Sequence, residues 1–323
     1  KQVVLAGYFK KKGVPMSEKS KRPARKKGGL HRLPVGFICV CVLPTLLLTI
    51  TFTIIPTVRA LWMSLWDSTA LSLNPSFVGL DNYIYMFRDE YFLQALANTG
   101  KLLLVVPIIT ILFALILAFI LSQTKLRERG LYRTIFYFPN IISMTVVGII
   151  WSFVFHPTMG IVNTFLQFVG LGDLARPWVG DSATALWCIA ITLIWQATGY
   201  YMVMHMASMD GISNEIYEAA TIDGASSFRK FISITIPLMR DIIGITFVLA
   251  MSGTMNLSFV LSRVMTAGGP NGASTVLLQY MYQQGFVNGN FGYAMAITVF
   301  SLTISVILSL ISRCLSSRGE EKR

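Results

Sequence analysis

The sequence predicts an all-α membrane protein with six transmembrane helices. Three observations carry that reading. Of 323 residues, 54% are hydrophobic and 13% are charged, and the mean hydropathy is +0.62. A soluble domain carries roughly 25% charged residues. Six apolar stretches each reach the roughly 20 residues needed to cross hydrocarbon as a helix. Lys and Arg, finally, fall on alternating sides of those stretches with a strong bias.

The expected spans are 35–62, 97–123, 133–156, 184–209, 241–263 and 291–314. They define a membrane domain over 35–314, a basic tail over 1–34 and a short tail over 315–323. The first span contains Pro44 and Pro56, the second Pro107 and the third Pro139. Proline removes a backbone donor, so bends are expected there. The second span is the cleanest, with no charge from Leu102 to Leu121.

Residues 1–34 hold eleven Lys/Arg and one acid, Glu18. Placing that tail inside leaves 22 Lys/Arg in inside segments and only Arg88, Arg176 and Arg263 in outside loops. Arg59 and Lys101 sit near outer span ends, where long side chains snorkel. The asymmetry predicts that both termini are cytoplasmic. A basic run can also bind nucleic acid, but one leading straight into an apolar span reads as a topology signal. The apolar segment after it exceeds the length of a secretory signal core.

All fifteen Asp and Glu lie in loops, tails or span ends. A proton-coupled transporter needs a carboxylate within the membrane, so self-powered transport is disfavoured. The chain has no G-x-x-x-x-G-K-[ST] loop to hold nucleotide phosphates. It shows no Ser/His/Asp set, no Cys/His pair and no His-x-x-x-His, which argues against an enzyme. Cys39, Cys41, Cys188 and Cys314 lack metal-ligand spacing and read as small packing residues. His156 and His205, near span ends, read as structural.

The densest acidic cluster falls in the inside loop 210–240. Asn214 is the expected helix cap, with Glu215 and Glu218 in the early turns where the helix dipole favours acids. Ile216, Ala219 and Ala220 form a narrow apolar face around Tyr217, and Gly224 ends the helix. Arg229 and Lys230 follow on a second helix that leads to Pro237. Small alanines permit close approach of another surface, and Glu218 offers a carboxylate to an arginine fork. Composition alone leaves a docking element and a solvated connector both open.

The loop resembles the EAA loop of permeases from binding-protein-dependent ABC importers. Glu218-Ala219-Ala220, Asp223-Gly224-Ala225 and Ile236-Pro237-Leu238 carry the likeness. Ser213 departs from it, since the sugar-importing subgroup usually has proline there. Further matches to carbohydrate permeases are Leu43-Pro44, Gly79-Leu80-Asp81-Asn82-Tyr83, Asn98-Thr99, Gly268-Gly269-Pro270 with Ala273-Ser274-Thr275, and Gly292-Tyr293-Ala294. The likeness runs from about residue 35 to the end and is similar to the first-permease branch of the maltose type. The basic extension resembles that of polysaccharide permeases, the alginate-type permease among them.

The resemblance implies a type I importer fold in a bacterial inner membrane. It implies a second homologous permease, two ATPase subunits that bind ATP and Mg, and an extracytoplasmic solute-binding protein. This chain would bind no cofactor and catalyse nothing itself. Glu215, Tyr217, Glu218, Ala219, Ala220, Asp223, Gly224, Ala225 and Pro237 would couple it to an ATPase. Gly268, Gly269 and Pro270 would belong to the loop that meets the binding protein. Sugar would pass Trp195, Gln196, Gly199, Tyr200, Ser252, Thr254, Asn256 and Trp151, which place aromatic, amide and hydroxyl groups at mid-span. The competing reading is an ion-coupled transporter or channel.

Overall fold

The computed structural model describes residues 35–69, 75–123 and 127–317. The basic tail 1–34, Lys125 and the end of the C-terminal tail lie outside the described residues. The described residues divide into two compact units, with the boundary between Ile55 and Pro56.

In the first unit, α1 (Val35–Thr49) contains Pro44 and runs into a π-helical turn at Ile50–Ile54. The Thr49 hydroxyl donates to the Thr45 carbonyl at 2.8 Å, which keeps a polar side chain satisfied inside its own helix.

The second unit carries α2 (Ile55–Met63) and a two-stranded ribbon, β1 (Trp66–Asp67) antiparallel to β2 (Ser76–Phe77). Then come α3 (Asp81–Met86), α4 (Glu90–Gln123), α5 (Arg129–Ile141), α6 (Met144–Val154) and α7 (Ile161–Phe168). The long α8 (Ala185–Met209) precedes α9 (Asn214–Ile222), α10 (Ser227–Lys230), a π-turn at Phe231–Thr235 and α11 (Ile236–Leu238). Last are α12 (Arg240–Leu261), its π-helical extension Ser262–Thr266, α13 (Leu277–Tyr282) and α14 (Phe291–Ser317). Among the described residues, five helices are long and apolar enough to cross a membrane, and α5 with α6 supplies a sixth if the bent pair counts as one span.

That pair corrects one expectation. A single span was expected over 133–156, bent at Pro139. The structure instead turns by 99° between Ile141 and Met144. Pro139 removes a backbone donor from the last turn of α5, and the chain leaves helical geometry at Ile142 and Ser143. α4 begins seven residues earlier than expected, because the Asp89 carboxylate accepts the backbone N–H groups of Tyr91 (3.0 Å) and Phe92 (3.4 Å). An aspartate in that place satisfies donors that helix starts leave open. Pro107 leaves α4 a continuous helix.

Helix α8 is the centre of the second unit, in contact with α4, α5 and α12. One apolar cluster joins Ala114 and Ala118 of α4 to Met202, Met206 and Met209 of α8, and extends to Tyr217 and Phe231. A second joins Leu102 and Val106 to Ile189, Leu193 and Leu261. Small side chains such as Ala114 and Ala118, both fully buried, let helices approach closely where lipid offers no hydrophobic drive. His205, also fully buried, bonds through Nε2 to the Thr246 hydroxyl at 2.9 Å and so ties α8 to α12.

The tightest crossing is at Gly199. A Cβ placed there would lie 1.7 Å from the carbonyl oxygen of Phe136 on α5. Even alanine forces the two helices apart. Gly199→Ala is expected to cost about 1–3 kcal/mol through overpacking. A thermal unfolding curve of the purified protein beside Ala197→Gly, which adds no atoms, measures it.

Candidate functional site

Three sites stand on this frame. The first is the acidic loop. α9 is capped by Ser213, whose hydroxyl accepts the N–H of Glu215 at 3.3 Å, so the cap lies one residue before the expected Asn214. Serine's oxygen does what a proline there cannot, which gives the departure from the family pattern a local purpose. Gly224 has φ +76°, the left-handed conformation that ends the helix. A second cap at Ser226 accepts the N–H of Arg229 and starts α10.

The loop folds back on itself through polar bonds. The buried Tyr217 hydroxyl bonds the Thr235 hydroxyl at 3.0 Å. Lys230 Nζ donates to the Thr221 hydroxyl at 2.7 Å. Tyr217 therefore serves as an internal anchor for α9 and the π-turn Phe231–Thr235. Glu215, Glu218, Ala219, Asp223 and Gly224 remain exposed, and Ala220 and Ala225 are half-buried. Beside them stand apolar groups that solvent would not favour: Ile222 is 87% exposed, Phe228 74% and Leu238 44%, next to exposed Pro237. A rigid hairpin presenting acids and apolar side chains together has the makeup of a docking surface.

The second site is the loop after α12. Gly268 has φ +88°, and its added Cβ would sit 2.5 Å from the Thr275 hydroxyl. The loop is stapled to α4. Asn98 Nδ2 donates to the carbonyls of Gly272 (3.2 Å) and Thr275 (3.0 Å). The Thr99 hydroxyl accepts the N–H of Leu277 at 2.9 Å. Ser262 donates to the Ser274 carbonyl and to Gln279 Oε1. Gly268 is itself buried, while Ala267 and Asn271 carry the exposed surface and Gly269 and Pro270 are half-buried. The motif residues 79–83 do similar work elsewhere: Asn82 Nδ2 donates to the carbonyls of Ser64 (2.8 Å) and Trp66 (3.1 Å), and Tyr83 donates to the Ser64 hydroxyl.

Below that loop is a cluster that the sequence did not disclose. The Asp89 carboxylate accepts hydroxyl bonds from Tyr280 and from Tyr293, the latter at 2.7 Å. Burial first, and then the Asp89 carboxylate, push the Tyr280 phenol well above its usual range, so it stays a donor. The residues are 191 and 204 positions from Asp89, and no local pattern links them.

The third site is a cavity of about 200 Å³ between α4, α5, α8 and α12. Gln196, Tyr200 and Thr254 line it, together with Thr110, Asn140 and Tyr201. Gln196 Oε1 and the Thr110 hydroxyl are buried without a protein partner. The structure does not bring the other path candidates here. Trp151 and Trp195 pair edge-to-face with centroids 5.5 Å apart, away from this lining. Ser252 and Asn256 lie on an exposed face of α12, where Asn256 Nδ2 donates to the Ser252 carbonyl. Gly199 belongs to the α5–α8 crossing. Thr110 and Asn140 were missed because each sits alone in an apolar stretch and only the crossing of four helices joins them.

Residues 101–319 match the family model described as the binding-protein-dependent transport system inner membrane component. The chain belongs to that family. Among curated relatives of this permease is a probable ABC transporter permease protein, YurN, of Bacillus subtilis (strain 168). It is 33% identical over 85% of this chain and 94% of the relative. The diacetylchitobiose uptake system permease protein NgcF of Streptomyces coelicolor is 31% identical over 94% of this chain and 89% of its own. The lactose transport system permease protein LacF of Rhizobium radiobacter is 32% identical over 84% and 90%. A bacterial ABC transporter that imports the acidic polysaccharide alginate has a chain of the same fold. Its TM-score is 0.77 at 21% identity, over 88% of this chain and 96% of that one. The permease is thus a transport subunit with the helical architecture of ABC importers.

Tyr217→Phe removes one hydroxyl from the buried pair with Thr235. It is expected to cost the permease about 0.5–1.5 kcal/mol. Limited proteolysis is expected to cut within 213–238 faster than in the unaltered protein, with sites elsewhere unchanged.

Proposed function

We propose that this chain is one permease subunit of an ATP-driven importer that takes an oligo- or polysaccharide from a solute-binding protein across the cytoplasmic membrane. A second homologous permease completes the channel. Two ATPase subunits bind ATP and Mg and hydrolyse the nucleotide. Both termini and the loop 210–240 face the cytoplasm, in keeping with the Lys/Arg bias.

The observation that carries the reading is the stiff hairpin at 213–238, which displays Ile222 and Phe228 beside Glu215, Glu218 and Asp223. A chain without a nucleotide loop needs an outside motor, and this surface is shaped to be gripped. Closing of the ATPases then moves α9 as a body. The internal bonds from Tyr217 and Lys230 tie α9 to α10 and to the π-turn Phe231–Thr235, and so pass that motion toward the entry of α12. Rocking of two rigid halves about a fixed site follows. On the far side, the stapled loop around Gly269 and Pro270 faces the binding protein.

The cavity supports a sugar as cargo. Its polar lining is hydroxyls and amides without a formal charge: Thr110, Asn140, Gln196, Tyr200, Tyr201 and Thr254. Sugar hydroxyls both donate and accept, so they can pair the buried Gln196 oxygen and the Thr110 hydroxyl, each costly to leave alone. Diacetylchitobiose and lactose, the sugars for which the relatives NgcF and LacF are named, are uncharged sugars of this chemistry.

The test reconstitutes the full importer in liposomes. Glu218→Lys is expected to abolish ATP-driven sugar uptake while the permease still inserts and assembles with its partner permease. Uptake that survives the change and follows a proton gradient would replace this reading with ion-coupled transport. Thr110→Val and Gln196→Leu together are expected to lower uptake about tenfold or more, the equivalent of losing roughly 1.4 kcal/mol. Sugar-independent ATPase activity should stay unchanged.

A further inference from the structure

A second cavity opens at the other end of the α5–α8 crossing. It has a volume of about 310 Å³ and is lined by Arg129, Gly130, Arg133, Val203, Met206, Ala207 and Asp210. The sugar path does not use it, and the hairpin at 213–238 starts only three residues beyond Asp210. Arg129 and Arg133 stand one helical turn apart on α5, so both guanidinium groups share a face.

Arg129 is held in place. Its Nη2 reaches both Asp210 oxygens, at 2.7 and 2.9 Å. A guanidinium carries five N–H donors, so this pairing leaves the others open. Arg133 is exposed and has no ion-pair partner among the described residues. Two arginines and one aspartate give the cavity a net charge of +1. The leading N–H groups of α5 at Arg129 and Gly130 lack acceptors within the helix and add partial positive charge there.

The walls are of the opposite character. Val203, Met206 and Ala207 of α8 form an apolar side. A group suited to this place carries a single negative charge with several acceptor oxygens and is joined to something oily. Charge and wall together describe a phosphodiester on acyl chains.

We propose that this cavity binds the headgroup phosphate of an anionic membrane phospholipid. Arg133 and the free donors of Arg129 hold the phosphate oxygens, and the acyl chains leave against the apolar side formed by Val203, Met206 and Ala207. Basic pockets between helix ends on the cytoplasmic side recognise anionic lipids in this way. Because Asp210 and Arg129 join α5 to the end of α8, the lipid braces the base of the docking hairpin. It does so whatever sugar the importer carries.

The assembled permease pair is purified in a neutral detergent, and its thermal unfolding is followed as phosphatidylglycerol or phosphatidylcholine is added. A saturable rise in Tm with phosphatidylglycerol, at least twice that with phosphatidylcholine, is expected. Arg133→Gln should weaken the phosphatidylglycerol effect at least fivefold in the concentration required, and Arg133→Lys should restore part of it. Arg88→Gln, an exposed arginine on α3's far flank, should leave it unchanged. Equal effects of the two lipids would overturn the proposal, as would an undiminished effect in Arg133→Gln. Millimolar inorganic phosphate is the remaining arm: if it reproduces the shift alone, the ligand is a soluble phosphate and the lipid assignment fails.

Discussion

The contact of Gly199 with the carbonyl of Phe136 sets the distance between α5 and α8, and much else follows from that distance. With no side chain at Gly199, two backbones meet. Helices in lipid gain little from hydrophobic drive, so such close backbone contact supplies much of their attraction. The crossing also separates two cavities of opposite chemistry. On one side Asn140 of α5 reaches an uncharged space shared with Gln196 and Tyr200. On the other, Arg129 and Arg133 reach a charged one shared with Asp210.

A backbone in hydrocarbon must satisfy its own hydrogen bonds, so polar chemistry gathers where helices end or break. The acidic hairpin, the stapled loop after α12 and the Asp89 cluster all lie at such places. Each is held by side-chain bonds to backbone atoms: Ser213 and Ser226 at helix starts, Asn98 and Asn82 across loops, Thr99 at the start of α13. Within the helices hydroxyls mostly bond the carbonyl one turn back, as Thr192 and Thr298 do. The Thr110 hydroxyl, like those of Ser122 and Ser301, makes no such bond.

Local signals were legible in the sequence. Apolar length and charge bias gave the helical membrane class, and the acid, alanine and glycine spacing located the hairpin, its turn at Gly224 and its second helix. What stayed hidden depends on distance along the chain. Nothing near Thr110 says that Asn140 and Gln196 will face it. Nothing near Tyr280 or Tyr293 says that Asp89 will lie between them. Pro139 pointed to a bend, but a proline interrupts one hydrogen bond without fixing where the chain leaves the helix, and the turn came at Ile142 and Ser143. Gly199, Trp195 and Trp151 illustrate a further limit. The residue types suited to touching a sugar also suit helix packing, and periodicity in a helix that is apolar all round cannot separate the faces.

The staple between Asn98-Thr99 and the loop 267–276 has a consequence for exchanging parts between importers. Asn98 on α4 donates to two main-chain carbonyls of that loop and Thr99 accepts the N–H of Leu277 just past it, and none of these bonds reads a loop side chain. Part of the loop's shape is therefore set from another helix, beside what its own Gly268, Ser274 and Thr275 fix. A chimaera that transplants 267–276 alone keeps its fold only if the recipient supplies asparagine and threonine at those two places. The asparagine and the two loop carbonyls it holds are 174 and 177 residues apart in sequence, and they travel as one module.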